Sequence, residues 1–355
     1  MRKARQNRHT KASVLEELRR RPASIKDIAR VVGVSHSTVS RALQNSPLVN
    51  RQTADEIRRI ARDVGYRASA VARGLVTRKT RTIGVVVTTI SDPFVSEVVS
   101  GIELAANDNG YSVLLGESNA DPAREKSVVQ SFAERRVDGI VVTSSRVGEL
   151  YTPMLAEMMA PIVLINNQHP GQFVHSVMIE NVGASREAVE YLLRLGHRRI
   201  AYVGDRYGYQ SDAERFAGYR QALERAGAAF AEELAVLGDG KPEGGAPAME
   251  KLLALDDPPT AVFCYNDMTA LGVLRAVYAR GLRVPDDVSV VGFDDLFLCC
   301  YLRPQLTTVR QPMRRMGQMA LDNLLKLMSG QQSAEAIKVP AELIVRESTA
   351  APRVK

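Results

Sequence analysis

Seven short apolar runs, separated by segments of helical length, are the sequence feature that most constrains the fold. They are TIGVVVT, SVLLG, DGIVVT, PIVLI, RIAYVG, TAVFCY and VSVVGF, and they lie between residues 82 and 293. Nearly continuous apolar runs are typical of parallel strands that are buried on both faces. Strands that alternate with helices build doubly wound sheets, so the sequence predicts an α/β core.

The α/β region is long enough for more than one sheet. Residues 82–350 exceed what a single doubly wound sheet usually needs, so we expect two lobes with a cleft between them. Polar or proline-containing joints near 179–182 and 307–312 are where we expect the chain to cross between lobes. The predicted lobes are about 82–180 with 312–338, and about 181–311 with 339–350.

The N-terminal stretch SIKDIARVVGVSHSTVSR has the pattern of two short helices joined by a tight turn. Ser24 with Asp27 forms a capping box for the first helix, and Gly33 ends it. Ser35 caps a second helix whose outward residues are polar, and a third helix is expected after Asn50. The pattern predicts a small all-α helix-turn-helix head, whose second helix reads base edges in a DNA major groove.

Positive charge is concentrated in the first 80 residues. They hold 19 lysines and arginines against 6 acidic residues, whereas the rest of the chain holds 28 against 34. A local excess of positive charge on the helix-turn-helix segment matches a DNA phosphate backbone. A membrane-binding helix would need a broad apolar face of Leu, Phe or Trp opposite its cations, and these residues contain neither Phe nor Trp. We therefore expect double-stranded DNA, and no membrane, as the partner.

Other function classes find little support in the sequence. No run of about 18 uninterrupted apolar residues occurs, and the N-terminus leads into no signal-peptide core, so we expect a cytoplasmic protein. Cys264, Cys299 and Cys300 have no metal-ligand spacing. Because no nucleophile elbow or paired acid–base motif occurs either, we expect no metal, no cofactor and no enzyme activity.

Motifs along most of the chain resemble the LacI/GalR family of transcriptional regulators, whose core is similar to periplasmic sugar-binding proteins. In order they are SIKDIARVVGVSHSTVSRAL, ASAVARGL, LGHRRIAYVGD, ERFAGYRQAL, NDMTALG, LRVPDDVSVVGFDD and LTTVRQP. The resemblance implies a two-lobed, periplasmic-binding-protein-like core. It also implies a homodimeric repressor whose operator affinity is controlled by a small-molecule effector, a sugar or sugar derivative, bound in the core cleft.

The resemblance assigns roles to residues of the head. His36, Ser37 and Arg41 fall at base-contacting positions, and Arg41 can bind a guanine through two hydrogen bonds. Thr38, Asn50 and Thr53 would contact phosphates from helix starts. For His36, an exposed histidine without a role is the alternative. The expected DNA-binding residues are Ser24, Ser35, His36, Ser37, Thr38, Ser40, Arg41, Asn50, Thr53, Ala72 and Leu75.

Residues 68–75 resemble the hinge helix that this family orders on its operator, with Leu75 as a wedge in the minor groove. The alternative is a leucine buried in an interdomain linker. Ala68 stands where a proline is usual, and Gly74 inside a helix costs about 1 kcal/mol relative to alanine, so this hinge should be harder to order. The predicted domains are a basic arm at 1–23, the head at 24–66, the hinge helix and linker at 67–81 and the core at 82–350.

Candidate ligand residues follow the predicted strands, where open α/β sheets bind small molecules. By resemblance they are Phe94, Ser145, Asn166, Arg215, Asn266 and Asp294. Asp, Asn and Arg side chains together supply the donors and acceptors that adjacent sugar hydroxyls need, and Phe94 could cover an apolar face. The alternatives are structural: Asp294 could cap a helix, and Asn266 could serve a turn.

The chain departs from its relatives at Gly240, where several family members place an aromatic platform. The ligand class therefore stays open. The glycine-rich run at 238–245 lacks the ending of a nucleotide-binding loop, so we interpret it as a flexible loop. A periplasmic transport receptor would account only for the core, and an enzyme on this core would need a catalytic motif that the sequence does not contain.

Overall fold

The protein folds into two compact units, Met1–Thr80 and Arg81–Lys355. The structure is a computed structural model that describes residues 16, 18, 21, 23–66, 79–145, 160–167, 175–332 and 336–353. The expected hinge residues Ala68, Ala72, Gly74 and Leu75 lie outside the described residues.

The head contains the three predicted helices, α1 (Ile25–Val32), α2 (His36–Leu43) and α3 (Arg51–Asp63). The capping box at Ser24 is present, and Gly33 ends α1 in the left-handed conformation that glycine adopts without strain. The core of the head is formed by the apolar faces of all three helices, which meet at Ile28, Val39 and Ile57. The predicted helix-turn-helix unit is therefore confirmed.

Residues ahead of α1 also belong to the packing of the head. Leu18 is helical and only 2% exposed, and it packs in the same core as Ile28. The Arg21 guanidinium donates two hydrogen bonds, each 3.0 Å long, to the two carboxylate oxygens of Asp27. Part of the segment expected to be a basic arm is thus attached to the helical head.

The first sheet of the core consists of parallel strands. Its six described strands are β1 (Thr82–Val87), β2 (Ser112–Glu117), β3 (Gly139–Thr143), β4 (Ile162–Ile165), β5 (Ser176–Ile179) and β11 (Ala336–Val339). Their spatial order is β11, β5, β4, β3, β1, β2. The central strand β3 is buried along its whole length, as the apolar run predicts.

The second sheet is parallel except at one edge. Its six described strands are β6 (Ile200–Asp205), β7 (Ala235–Gly238), β8 (Ala261–Cys264), β9 (Ser289–Asp294), β10 (Thr307–Arg310) and β12 (Glu342–Ile344). The spatial order is β12, β10, β9, β8, β6, β7, and β12 runs antiparallel to β10. Residues 307–310, expected as part of a joint between lobes, form β10 instead.

Helices cover both sheets and complete two lobes. They are α4 (Pro93–Asp108), α5 (Pro122–Glu134), α6 (Asn181–Arg194), α7 (Gln210–Arg225), α8 (Pro242–Leu253), α9 (Asp267–Ala279) and α10 (Met313–Met328). Helix α10 packs on α4 and the first sheet, whereas α6 packs on α7 and the second sheet. The chain passes between the sheets at residue 180, at 311–312 and at 340–341, so the predicted two-lobed, doubly wound core is confirmed.

Candidate functional site

Helix α2 presents a polar surface on the side away from the core of the head. Val39 and Ala42 are fully buried, whereas His36, Ser37 and Arg41 are exposed. Ser40 is half-buried on the same helix. The exposed side chains are those predicted to contact bases, and they occupy the first two turns of the helix. This is the part of a recognition helix that contacts base edges.

The predicted phosphate contacts cluster at helix starts. The Ser35 hydroxyl accepts a hydrogen bond from the Thr38 amide at 3.1 Å, and the Asn50 side chain accepts one from the Gln52 amide at 2.9 Å. Thr53 is half-buried in the first turn of α3. Caps of this kind order the first turn, whose backbone amides favour an anion such as a phosphate.

A cavity of about 620 Å³ lies between the carboxyl ends of the two sheets in the core. The structure brings five of the six predicted ligand residues to its wall. The first lobe contributes Phe94 and Asn166, and the second contributes Arg215, Asn266 and Asp294. A ligand held by both groups would touch both lobes at once.

Arg215 is a buried cation fixed by its neighbours. It extends from α7, is 3% exposed, and its guanidinium carbon lies 3.7 Å from the centre of the Phe293 ring. Its Nε donates to the Asn181 side-chain oxygen at 3.1 Å, and a terminal nitrogen donates to the Tyr265 carbonyl at 2.5 Å. These bonds hold the guanidinium rigidly at the cavity wall.

Asp294 faces Arg215 at the end of β9. The closest nitrogen and oxygen of the two side chains are 3.9 Å apart, and Gln311 donates a 2.6 Å hydrogen bond to the same carboxylate oxygen. Burial raises the pKa of Asp294 well above its usual value, and the negative charges of Asp267 and Asp92 act in the same direction, against Arg215 and Gln311. The surroundings of Asp294 thus disfavour the ionised form of its carboxyl group.

Asn266 has a structural role as well as a place on the cavity wall. Its side-chain oxygen accepts from the Thr269 amide at 2.8 Å and caps α9, and its nitrogen donates to the Gly240 carbonyl at 3.0 Å. Asn266 thus has a structural role, as a helix cap and not in the turn that was named as its alternative. The side chain thus connects the short segment between β7 and α8 to the start of α9, and residues 242–245 of the run interpreted as a flexible loop form the start of α8.

Ser145 is the predicted ligand residue that the structure places elsewhere. Its hydroxyl is buried and donates to the Glu125 carboxylate at 2.6 Å, so it points into the first lobe. Ser144, which has a positive φ of 51°, lines the cavity instead. The backbone turns at the end of β3, and the strand pattern alone does not reveal which serine faces the cleft.

Several residues of the cavity wall were not predicted from the sequence. They are mainly acidic or aromatic and include Asp205, Tyr207, Tyr209, Ser211, Asp239, Tyr265 and Gln311. Tyr265 ends the predicted strand TAVFCY, so its position gave a usable signal, whereas Gln311 falls in the segment expected to be a joint between lobes. Tyr207 and Tyr209 belong to the loop between β6 and α7, where no periodic pattern marks them.

Within the described ranges, no helix is long and apolar enough to cross a membrane. Among the same residues, no group of three or more His, Cys, Asp or Glu side chains is arranged to hold a metal ion.

Comparison with known proteins assigns both units of the chain. Residues 24–69 match the family model described as bacterial regulatory proteins, lacI family, and residues 189–349 match the periplasmic binding protein-like domain. The chain is 37% identical to the HTH-type transcriptional repressor CytR of Escherichia coli (strain K12) over 330 residues, which are 93% of this chain and 97% of the relative.

Two solved structures of regulators are also similar. The Lac repressor dimer bound to operator and the anti-inducer ONPF matches with a TM-score of 0.86 and 28% identity, over 93% of this chain and 100% of that chain. The CelR–cellobiose complex matches with a TM-score of 0.70 and 29% identity, over 92% and 99% of the two chains. The chain therefore belongs to the lacI family of bacterial regulatory proteins and is a helix-turn-helix transcriptional regulator.

Proposed function

We propose that the protein is a homodimeric repressor whose affinity for operator DNA is set by a small polar effector, a sugar or sugar derivative, in the core cavity. The observation that carries the proposal is the cavity itself. It opposes Arg215 and Asp294 of one lobe to Asn166 and Phe94 of the other, in a chain that also carries an exposed recognition helix. The operator-bound Lac repressor dimer and the cellobiose complex of CelR support it.

The DNA side of the proposal depends on α2. Arg41 would bind a guanine with two hydrogen bonds, His36 and Ser37 would make single contacts, and the starts of α2 and α3 would hold phosphates. One head of this size offers few base contacts. Two heads related by two-fold symmetry double them across adjacent half-sites, which predicts a pseudo-palindromic operator.

The effector side depends on the two lobes. A ligand that bonds to both sheets stabilises one relative position of the lobes over others. The segment at 67–81, which joins the two units along the chain, includes Leu75, the proposed minor-groove wedge. Lobe closure would change how easily this segment becomes ordered on DNA, and such two-state switches usually couple two sites by about 1–3 kcal/mol.

Selection of duplexes from a random pool by the full-length protein tests the function. We expect enrichment of an inverted repeat, bound by two copies of the chain. Deletion of residues 1–80, which form a separate compact unit, should abolish DNA binding and preserve sugar binding by the core. Selection of no common sequence would contradict a repressor, and loss of sugar binding on the same deletion would contradict a ligand site confined to the core.

A further inference from the structure

The wall of the core cavity is rich in hydrogen-bond acceptors. Five carboxyl groups line it, against two cationic side chains, Arg215 and Lys241. The carboxyl groups are Asp92, Asp205, Asp239, Glu243 and Asp294. An ionised carboxylate accepts hydrogen bonds and donates none, so the charged groups of the wall favour ligand donors over ligand acceptors.

Two of the three cations in and beside the cavity are already engaged with groups of the protein. Arg215 donates to Asn181 and to the Tyr265 carbonyl, and it lies against Asp294. Lys241, the other cation of the wall, lies where its charge acts on Asp92. Arg206 forms an ion pair with Asp239 at 2.9 Å. An anionic ligand would have to compete with the carboxylates of the protein for these cations.

Gln311 supplies an acceptor that the protein leaves unused. It is 2% exposed and lines the cavity, and its nitrogen donates to Asp294. Its side-chain oxygen is buried and has no hydrogen-bond partner among the residues that the structure describes. A buried amide oxygen without a partner is unfavourable, so a hydroxyl or amino group placed in the cavity gains by donating to it.

We infer that the effector is an uncharged or cationic molecule rich in hydroxyl or amino donors, that it donates a hydrogen bond to Gln311, and that sugar phosphates and sugar acids are excluded. This inference rests on the proposed function, since it assumes that the cavity holds the effector. A phosphate or carboxylate would meet five acidic side chains and only two cationic ones, of which Arg215 already lies against Asp294.

Matched pairs of small molecules test the charge class on the full-length protein. The probes are ribose and ribose 5-phosphate, glucose with glucose 6-phosphate, glucuronate and glucosamine, cellobiose, and nucleosides with their monophosphates. Binding is measured by calorimetry. We expect an uncharged or amino member to bind and its anionic partner to bind at least about 100-fold more weakly, because the negative charge would lie against the acidic side chains of the wall. Equal or tighter binding of an anionic partner overturns the inference, and so does binding by no uncharged or amino member.

A pair of charge-reversed variants tests whether the cavity wall causes the discrimination. Glu243 lies in the first turn of α8 and lines the cavity, whereas Glu250 is exposed farther along the same helix. Glu243→Lys should raise the affinity for the anionic partner relative to the uncharged molecule, and Glu250→Lys, with the same change in net charge, should not. Equal effects of both variants would show that net charge, not the cavity wall, decides selectivity.

Gln311→Met keeps the side-chain length and removes the amide oxygen. We expect the affinity for the uncharged probe to fall by about tenfold or more. If Gln311 had a purely structural role, Gln311→Met would change thermal stability without weakening probe binding. That result would contradict a contact between Gln311 and the ligand. Regulation of DNA binding by an anionic compound would overturn this inference and leave the proposed function intact. Binding of the uncharged probe by a protein that binds no DNA would overturn the proposed function and leave the charge class of the ligand intact.

Discussion

Arg215 is connected by direct hydrogen bonds to the first crossover between the lobes. Asn181, which accepts from its Nε, is the first residue of α6, and its own side-chain nitrogen donates to Glu214 at 2.8 Å. The preceding residue, Glu180, donates its amide to the Val339 carbonyl at 3.0 Å. A ligand that moves the guanidinium therefore acts on the segment where the chain leaves the first lobe.

Replacement of Asn181 tests this connection. Asn181→Leu leaves the buried Arg215 Nε without an acceptor, so we expect the core to lose about 1–3 kcal/mol of unfolding free energy, measured in urea. Effector binding should weaken as well. Asn107→Leu, at an exposed position of α4, is the control. Equal stability of the two variants would contradict the role of Asn181.

The raised pKa of Asp294 predicts how effector affinity depends on pH. A ligand hydroxyl donates to the ionised carboxylate, whereas the free protein holds a proton there at pH values above the usual aspartate pKa of 3.8. Affinity should be constant at high pH and fall as the pH drops through the raised pKa, by about tenfold per unit. Titration calorimetry across this range checks it, and Asp294→Asn, if folded, should abolish this dependence.

Arg41 should carry most of the discrimination between operator and random DNA. Arg41→Ala is expected to weaken operator binding by about 1–3 kcal/mol per half-site and to affect random DNA much less. Arg41→Lys keeps the charge but not the paired hydrogen bonds, so it should lose discrimination while the salt dependence stays close to wild type. Anisotropy titrations at several salt concentrations measure both. Equal losses of affinity for operator and for random DNA would contradict contact between Arg41 and a base.

At the scale of elements, the sequence predicts seven strands and misses five of those that the structure describes. All seven apolar runs form strands, and six of them lie inside their sheets, where strands covered on both faces are apolar throughout. The missed strands β7, β11 and β12 are edge strands of three or four residues and are partly exposed, whereas the missed β5 is mostly buried but only four residues long. Strand β10 is buried but contains Thr307 and Thr308, whose hydroxyls bond to Thr349 and Asp267, so its sequence resembles a polar joint.

The same contrast holds for the cavity. Asn166 and Asp294 sit at or just beyond strand ends, and that position in a doubly wound sheet marks them from the sequence. Ser145 shows the limit of this reasoning, because the backbone turns at the end of β3 and places Ser144, not Ser145, on the cavity wall. Tyr207 is 46% exposed on the cavity wall, and only the folded loop reveals it.

Leu18 should stabilise the head even though it precedes the helix-turn-helix. Leu18→Ala removes a buried side chain, which typically costs about 2–5 kcal/mol. Leu48→Ala removes an exposed one, at 78% exposure, and should change stability by less than about 0.5 kcal/mol. Hydrogen exchange of head peptides in the full-length protein compares the two. Unchanged exchange in Leu18→Ala would show that the N-terminal segment is not part of the head.

His197 ties the C-terminal segment to the second lobe. Its Nδ1 lies 2.8 Å from the Thr260 hydroxyl, and its Nε2 lies 2.9 Å from the Ala350 carbonyl. Burial lowers the pKa of His197 below 6.5, so the unfolded chain binds a proton that the folded chain does not. This contribution to stability is present above pH 6.5 and is lost as the pH falls from there toward the folded pKa.

Urea unfolding between about pH 5 and pH 8 checks this contribution. Between the two pKa values, wild type should lose up to about 1.4 kcal/mol per pH unit relative to His197→Gln. Using the difference between the two proteins cancels the opposite trend of the buried carboxyls. Parallel stability curves for wild type and His197→Gln would contradict a buried neutral histidine.

At the scale of the whole molecule, the proposed regulation would act through the crossovers between the lobes of the core. Two of them carry a side chain that bonds to the charged pair of the cavity: Asn181 bonds to Arg215, and Gln311 bonds to Asp294. Because the first lobe contributes Phe94 and Asn166 to the same cavity, an effector there touches both lobes and both of these crossovers. Binding at the cavity should therefore change the relation of the lobes and, through residues 67–81, the ordering of the hinge on DNA.

The most direct test of effector control is operator affinity measured with and without saturating effector, in wild type and in Asp294→Ala. The operator comes from the random-pool selection and the effector from the small-molecule panel. We expect effector to change wild-type operator affinity by a factor of roughly 5–150. Asp294→Ala should keep the effector-free affinity and lose the response, whereas Asp322→Ala, on the exposed side of α10, should keep both. An operator affinity that saturating effector leaves unchanged in wild type, or a full response in Asp294→Ala, would contradict effector control through the cavity.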